Sequence, residues 1–320
     1  MRSNLEKYQV LIYIGAIVAG LLLGTQVPQF SSALELFIWP ALGILLYATF
    51  TQVSFAKVSG AFRDRRFINT ALIGNFIFIP LIVLGLITLL PDSPAIRLGV
   101  ALVLLVPCTD WFITFTNLGG GDTERAIAFS PVSLLFQILL LPIYLFLFLG
   151  DELTVSLATD ELLIAFTTII LLPLGVAWFT QRWVNKEPEK RSAIIAGMVW
   201  LPVPLLALVI FLIAGSQADV IFTASSQLIY PAIVFVFFLI ISAVLAKVMA
   251  RFTMMPKEEG RALAFSFGSR NSFVVLPVAL ALPESFEITA FIVVMQSLIE
   301  LFGMAAYLWI IPKVLFREKG

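Results

Sequence analysis

Residues 106–115 read VPCTDWFITF. Inside a long apolar segment stand, side by side, a proline, the chain's one cysteine, a threonine and an aspartate. Proline removes a backbone donor and drives the residue before it out of the helical region, so a helix running through this segment breaks at Pro107. Within hydrocarbon, the backbone groups freed by a break must find partners in protein or in cavity water. The reading of the whole chain turns on whether this segment lies at membrane depth.

Composition places it there. Of 320 residues, 60% are hydrophobic and 12% charged, with a mean hydropathy of +1.04. Soluble domains run about 45–50% apolar and about 25% charged. A span needs about 20 mostly apolar residues, and ten segments qualify: 8–28, 32–53, 68–91, 95–118, 123–149, 161–181, 193–214, 229–250, 258–283 and 287–312. The first follows Arg2 and Lys7 and lacks a small-residue cleavage site, so it reads as a retained helix. The formal net charge is zero and no basic block exists, which argues against nucleic acid as a partner. One cysteine excludes an internal disulfide. With no histidine, a proton carried near neutral pH must ride on a carboxylate. No nucleotide loop, metal-ligand cluster or nucleophile–base pair points to an enzyme, and no cofactor is expected.

Basic residues orient the spans, because cytoplasmic loops carry Lys and Arg. With both termini inside, 18 of the 20 basic residues fall on the inner side, among them Lys57, Arg63, Arg65, Arg66, Arg125, Arg182, Lys186, Arg261, Lys313, Arg317 and Lys319. Arg97, at an outer edge, and Arg270, within a span, are the exceptions. Outer loops carry acids instead, including Asp92, Asp151, Asp160 and Glu287. The halves 1–160 and 161–320 then hold five spans each and run in opposite senses. Cys108-Thr109-Asp110-Trp111-Phe112 in span 4 sits where Ser269-Arg270-Asn271-Ser272-Phe273 sits in span 9. Inverted repeats with interrupted helices at matching positions mark the substrate site of secondary transporters.

Three ionisable residues lie within spans: Asp110, Arg270 and Glu300. Such residues face a cavity and pair. In span 9, Gly268, Asn271 and Ser272 weaken the helix and Pro277 follows, so breaks are expected at Pro107, Gly268 and Pro277. Two broken helices meeting at mid-membrane would set Asp110 opposite Arg270 as an ion pair, either architectural or in contact with substrate. Glu300, in 295-MQSLIELFGM-304, has no cation in its own span. It is either a proton-exchanging carboxylate or a side chain that snorkels to the headgroups. Cys108 is either a small buried hydrophobe or, beside a break and a carboxylate, a ligand for a soft centre.

At 107-PCTDWFITFTNLGGGDTERA-126, 268-GSRNSFVVLPVALALP-283 and 293-VVMQSLIEL-301 the chain resembles the bile acid/arsenite/riboflavin transporter superfamily, most closely its arsenite efflux permeases. The resemblance covers essentially the whole chain. Those permeases carry a fourth-span cysteine followed by a loop with Gly-Asp, matched by Cys108 and Gly121-Asp122; an Arg-Asn pair in the ninth span, matched by Arg270-Asn271; and Leu-Ile-Glu in the last, matched by Leu298-Ile299-Glu300. The resemblance implies an all-helical membrane fold of ten helices in two inverted repeats, with a panel and a core domain and with helices 4 and 9 broken and crossing. It also implies export of arsenite, with antimonite in some members, driven by proton entry across the cell membrane. Substrate contacts would then fall to Cys108, Thr109, Asp110, Arg270, Asn271 and Ser272, and proton coupling to Glu300. In this account Thr109 satisfies freed backbone and Asp110 balances Arg270. The chain departs from the permease pattern at Asp110, where an uncharged residue is usual.

The alternative is a sodium-coupled symporter of bile-acid-like or other organic anions. That branch has a Glu-x-Gly-x-Gln-Asn-Ser run whose acid and amide hold sodium. Here the run reads Ser266-Phe267-Gly268-Ser269-Arg270-Asn271-Ser272, and Phe112-Ile113 stand where that branch places Ser-Asn. A fixed guanidinium beside oxygen ligands repels a hard cation. The sequence sets no oligomeric state.

Overall fold

The computed structural model describes residues 2–52, 65–156, 166–223 and 226–317. Lys57, Arg63, Asp160, Lys319, the boundary at 160/161 and the first residues of the sixth expected span lie outside them. In chain order the helices are α1 (Arg2–Gln26), α2 (Ser31–Phe50), α3 (Arg65–Ile87), α4 (Pro94–Leu105), α5 (Trp111–Leu118), α6 (Thr123–Ser156), α7 (Leu172–Val184), α8 (Pro188–Met198), α9 (Pro202–Ser216), α10 (Ala218–Thr223), α11 (Ile229–Phe252), α12 (Lys257–Gly268), α13 (Ser272–Leu280) and α14 (Ile288–Ile310). Five uninterrupted stretches, Pro28–Phe50, Arg65–Ile87, Thr123–Leu141, Ile229–Phe252 and Glu284–Leu315, are long and apolar enough to cross a membrane, and three shorter apolar helices accompany them. Fewer than ten unbroken spans appear among the described residues because several of the expected ones are cut. Span 193–214 is one: turn bonds such as Leu201 N–H to Met198 O (3.1 Å) replace helix at 199–201, since Pro202 and Pro204 bring no backbone donors.

The exposed faces of the long helices are apolar. On α11, Ile229, Ile233, Val236, Phe237, Ile240, Val244 and Val248 are exposed, whereas Phe235, Phe238, Ser242 and Ala246 are buried. That is the pattern of a helix whose outer solvent is lipid, and the chain is a multi-pass membrane protein.

The chain forms two compact units, and each takes segments from both sides of residue 160. One comprises Met1–Gln52, Asp151–Leu228 and Phe273–Val294; the other comprises Val53–Gly150, Ile229–Ser272 and Met295–Gly320. In the first unit, α1 lies on α9 through glycine. A Cβ on Gly20 would stand 2.4 Å from the Phe211 carbonyl oxygen, and one on Gly24 would stand 2.2 Å from that of Gly215. Small residues four apart let two membrane helices approach to van der Waals contact of their backbones. Gly24→Leu is therefore expected to lower the melting temperature in detergent, the overlap being worth about 1–3 kcal/mol; an unchanged melting curve would refute the close contact.

In the second unit α4 stops at Leu105, and Val106, preceding Pro107, is extended with φ −110° and ψ 107°. After α12 stops, Ser269 is extended as well, with φ −98° and ψ 131°. The two extended pieces run antiparallel with Pro107 opposite Arg270. Cys108 N–H donates to Ser269 O (3.0 Å), and Asn271 N–H donates to Val106 O (2.8 Å). Each break thus supplies the partners the other needs, which removes the penalty for irregular backbone at membrane depth. Pro277 does not break the chain as expected. It lies inside α13, and Ala281 N–H still reaches its carbonyl at 3.1 Å. One missing donor near the end of so short a helix removes a single bond.

Candidate functional site

The paired breaks gather the polar side chains of the second unit. Arg270 is 3% exposed. Its Nη2 donates to Asn75 Oδ1 (2.9 Å) and to the carbonyls of Ser266 and Phe267 (both 2.8 Å), while Nη1 donates to Leu104 O (3.3 Å). The Phe238 ring lies 5.3 Å from the guanidinium carbon, a cation–π distance. Four oxygens and a ring face surround this one cation. Its Nε finds no hydrogen-bond partner among the described residues.

Local backbone chemistry builds this cage. α3 widens to a π-turn over Gly74–Phe78, a distortion that often accompanies functional sites. Asn75 Nδ2 donates to Ala71 O and to Ser266 Oγ (both 3.1 Å), which aims its oxygen at Arg270. Gly74 lets the Phe267 ring approach, since a Cβ there would lie 1.9 Å from Cζ.

Glu300, 3% exposed, accepts three donors: Ser269 Oγ–H (2.6 Å) on Oε1, and Arg270 N–H (2.7 Å) and Gln296 Nε2–H (2.8 Å) on Oε2. It does not snorkel. Nor is it alone; its partners come from the span 9 break and from one turn back on its own helix. Gln296 Oε1 in turn accepts Ser272 Oγ–H at 3.0 Å. A chain of hydrogen bonds therefore runs from Ser272 through Gln296 and Glu300 to Ser269 and Arg270.

Cys108 is 3% exposed, and its Sγ–H donates to Asp110 Oδ1 at 3.1 Å. The half-buried Asp110 is not the counter-ion of Arg270. Among the described residues no salt bridge joins them, because the guanidinium turns to the oxygen cage and the carboxylate turns back onto its own loop. The expectation for Thr109 also changes. Its hydroxyl oxygen accepts Asn271 Nδ2–H at 3.4 Å, and its carbonyl accepts the Ser130 hydroxyl.

This geometry ranks two substitutions. Arg270→Gln strips four acceptors of their donor, each charge-assisted bond being worth about 1.5–3 kcal/mol. Asp110→Asn leaves the thiol an amide oxygen to donate to, a weaker acceptor than the carboxylate but not a missing one. Arg270→Gln should therefore lower the melting temperature in detergent well below that of Asp110→Asn, and Arg270→Lys should not restore it, since an ammonium lacks the planar fork. Equal losses from both would reinstate the ion pair.

Sequence reading missed Asn75, Gln296 and Ser130. The signals were present: 74-GNFIF-78 sets one amide in an apolar run, and Gln296 lies four residues before Glu300, on the same helix face. What it lacked was a reason to bring α3 and α6 to the breaks.

Comparison with known proteins adds the following. The sequence pattern of the Sodium Bile acid symporter family matches residues 39–224. Arsenical-resistance protein Acr3 of Corynebacterium glutamicum is 28% identical over 145 residues, 42% of this chain and 39% of that protein. An uncharacterized protein of Pseudomonas aeruginosa, PA2026, is 24% identical over 276 residues, 83% of this chain and 82% of that protein. The "Probable sodium/metabolite cotransporter BASS4, chloroplastic" of Oryza sativa subsp. indica is 31% identical over 119 residues, 33% of this chain and 28% of that protein. The matched regions thus span well under half the length of the arsenical-resistance and cotransporter relatives.

Proposed function

The chain belongs to the sodium bile acid symporter family, whose members are transporters, and within it we propose that this protein exports trivalent arsenic as arsenite, with antimonite as a second cargo of the same softness, in exchange for entering protons. The observation that carries the reading is the thiol of Cys108, placed within the paired break and hydrogen-bonded to Asp110. Trivalent arsenic is thiophilic, and a soft sulfur ligand selects it over oxyanions. Arsenous acid condenses with the thiol: S–H and As–OH give S–As and water. Asp110 takes the thiol proton and returns it to the leaving hydroxyl, so no net charge moves in binding. A single sulfur holds the metalloid reversibly, as a carrier requires. The arsenical-resistance relative supports this reading.

Arg270 supports proton rather than sodium coupling. Its guanidinium occupies the cage of Asn75 and backbone oxygens that a dehydrated monovalent cation would otherwise need, and a fixed charge there repels sodium. The second reading, a sodium-coupled symporter of organic anions, draws on the rice relative's name; it leaves the buried thiol without a role. In the proposed cycle both termini face the cytoplasm and the protein sits in the plasma membrane. Everted membrane vesicles test the two readings directly. Labelled arsenite should accumulate when the lumen is acidic, collapse with a protonophore, and ignore an imposed sodium gradient. Accumulation that followed sodium and not pH would establish the second reading instead.

A further inference from the structure

The second unit carries a cavity of about 610 Å³ that the transport reading does not use; it is lined by the Gly119-Gly120 loop, Arg261, Lys313 and Arg317, and among the described residues no carboxylate lines it. It opens where α5 ends, α12 begins and α14 has ended, on the side where the basic residues collect. At 1.5 Å per residue, Lys313 stands roughly 20 Å along the helix from Glu300, so this is not the paired-break site.

The cavity is built rather than incidental. Gly120 has φ +64°, and a Cβ there would sit 3.0 Å from Arg261 Nη1, so glycine lets the loop fold down onto the arginine. Arg261, 6% exposed, donates Nη1–H to Gly120 O (3.0 Å) and Nη2–H to Phe316 O (2.9 Å), which fixes its charge as one wall. Lys313 and Arg317 are exposed, and among the described residues no salt bridge joins either to a carboxylate. The loop amides bond back to the last turn of α5, Gly120 N–H to Asn117 O and Gly121 N–H to Thr116 O, leaving the cationic side chains as the donors to a ligand.

We propose that this pocket holds the phosphate of an anionic phospholipid. Basic pockets between membrane helices on the cytoplasmic side suit such headgroups. The rim favours a lipid over a free anion: Leu118, exposed and apolar, lines the cavity, and the lining Lys313 lies 5.9 Å from the exposed Trp309 ring, an aromatic and cation pairing typical of the membrane interface. The phosphate meets three cations and the acyl chains meet the apolar rim.

The test uses the full-length protein in nanodiscs of phosphatidylcholine alone or with phosphatidylglycerol. The wild type should melt several degrees higher with phosphatidylglycerol. The double variant Lys313→Gln/Arg317→Gln should melt like wild type in phosphatidylcholine and lose most of the phosphatidylglycerol increment. A control of equal charge change elsewhere, Arg182→Gln/Lys186→Gln, should keep it. The single variants Lys313→Gln and Arg317→Gln repeat the measurement should the double variant fold poorly, each losing part of the increment. An increment retained in full by the pocket variants, or lost equally in the control, overturns the proposal. Inorganic phosphate added to phosphatidylcholine discs should give no increment; if it reproduced the lipid effect, the lipid would not be the source of the phosphate.

Discussion

Glu300→Gln is expected to abolish arsenite accumulation driven by a pH gradient while leaving a folded protein. The two carboxylate oxygens accept Ser269 Oγ–H, Arg270 N–H and Gln296 Nε2–H. An incoming proton changes that set unequally. The serine hydroxyl can rotate and accept, so Oε1 can take a proton without losing its neighbour. The backbone N–H of Arg270 can only donate. Protonation therefore enters at Ser269, whose hydroxyl reverses, and it removes the charge that strengthens the bonds from Arg270 N–H and Gln296 Nε2–H, which loosens the segment that carries Arg270 and pairs with Cys108. In an exporter, proton binding from outside favours the return of the empty carrier, and release inside resets the site. Glutamine imitates the protonated carboxyl in size and neutrality but cannot release a proton, so the cycle stops there. A charge-assisted hydrogen bond is worth about 1.5–3 kcal/mol, so the loss should be at least about tenfold in rate. Glu300→Asp, which keeps the charge and shortens the reach, should retain part of the activity with an altered pH profile. Normal pH-driven accumulation by the glutamine variant would move proton coupling to another group.

How far the sequence carries can be traced through particular residues. The breaks at Pro107 and after Gly268 were legible because proline and glycine act locally, on the φ and ψ of their own and adjacent residues. That the breaks pair was legible too, from two polar clusters at matching places in the chain. The partner of Arg270 was not. Charge counting offered Asp110, but a guanidinium has five donors, and backbone carbonyls freed by a helix end are acceptors that no residue letter displays. The structure gives it three such carbonyls and an amide instead. Glu300 misled in the same way, since a backbone N–H from a break is as invisible in sequence as a carbonyl. Pro277 shows the converse. The letter is conspicuous, yet inside α13 the chain absorbs it without a break. Local steric rules survive translation into structure; pairing at the breaks depends on backbone groups and needs the fold.

Cys108→Ser is expected to remove arsenite resistance and efflux while leaving the protein at its normal level. Serine preserves the size and the donor to Asp110, whose carboxylate accepts the thiol at 3.1 Å, and it leaves the backbone bond from residue 108 to Ser269 O untouched. The fold has no reason to fail. What disappears is sulfur. An alkoxide ester of arsenous acid hydrolyses readily in water, whereas the arsenic–thiolate bond persists, so the hydroxyl cannot hold the metalloid as the thiol does. Cys108→Ala should match serine in transport and differ only in removing the side-chain donor at position 108 from Asp110, which separates the loss of sulfur from any hydrogen-bonding effect. Asp110→Asn should give an intermediate result: the thiol remains, but the base that receives its proton is gone, so efflux should fall at low substrate and recover in part at high substrate. An organic-anion symporter would behave differently in all three respects, because a carboxylate or sulfonate gains nothing from sulfur and both cysteine variants would transport nearly normally. Full arsenite efflux by the serine variant would remove the metalloid from this site and leave Cys108 as a small buried side chain at a helix break.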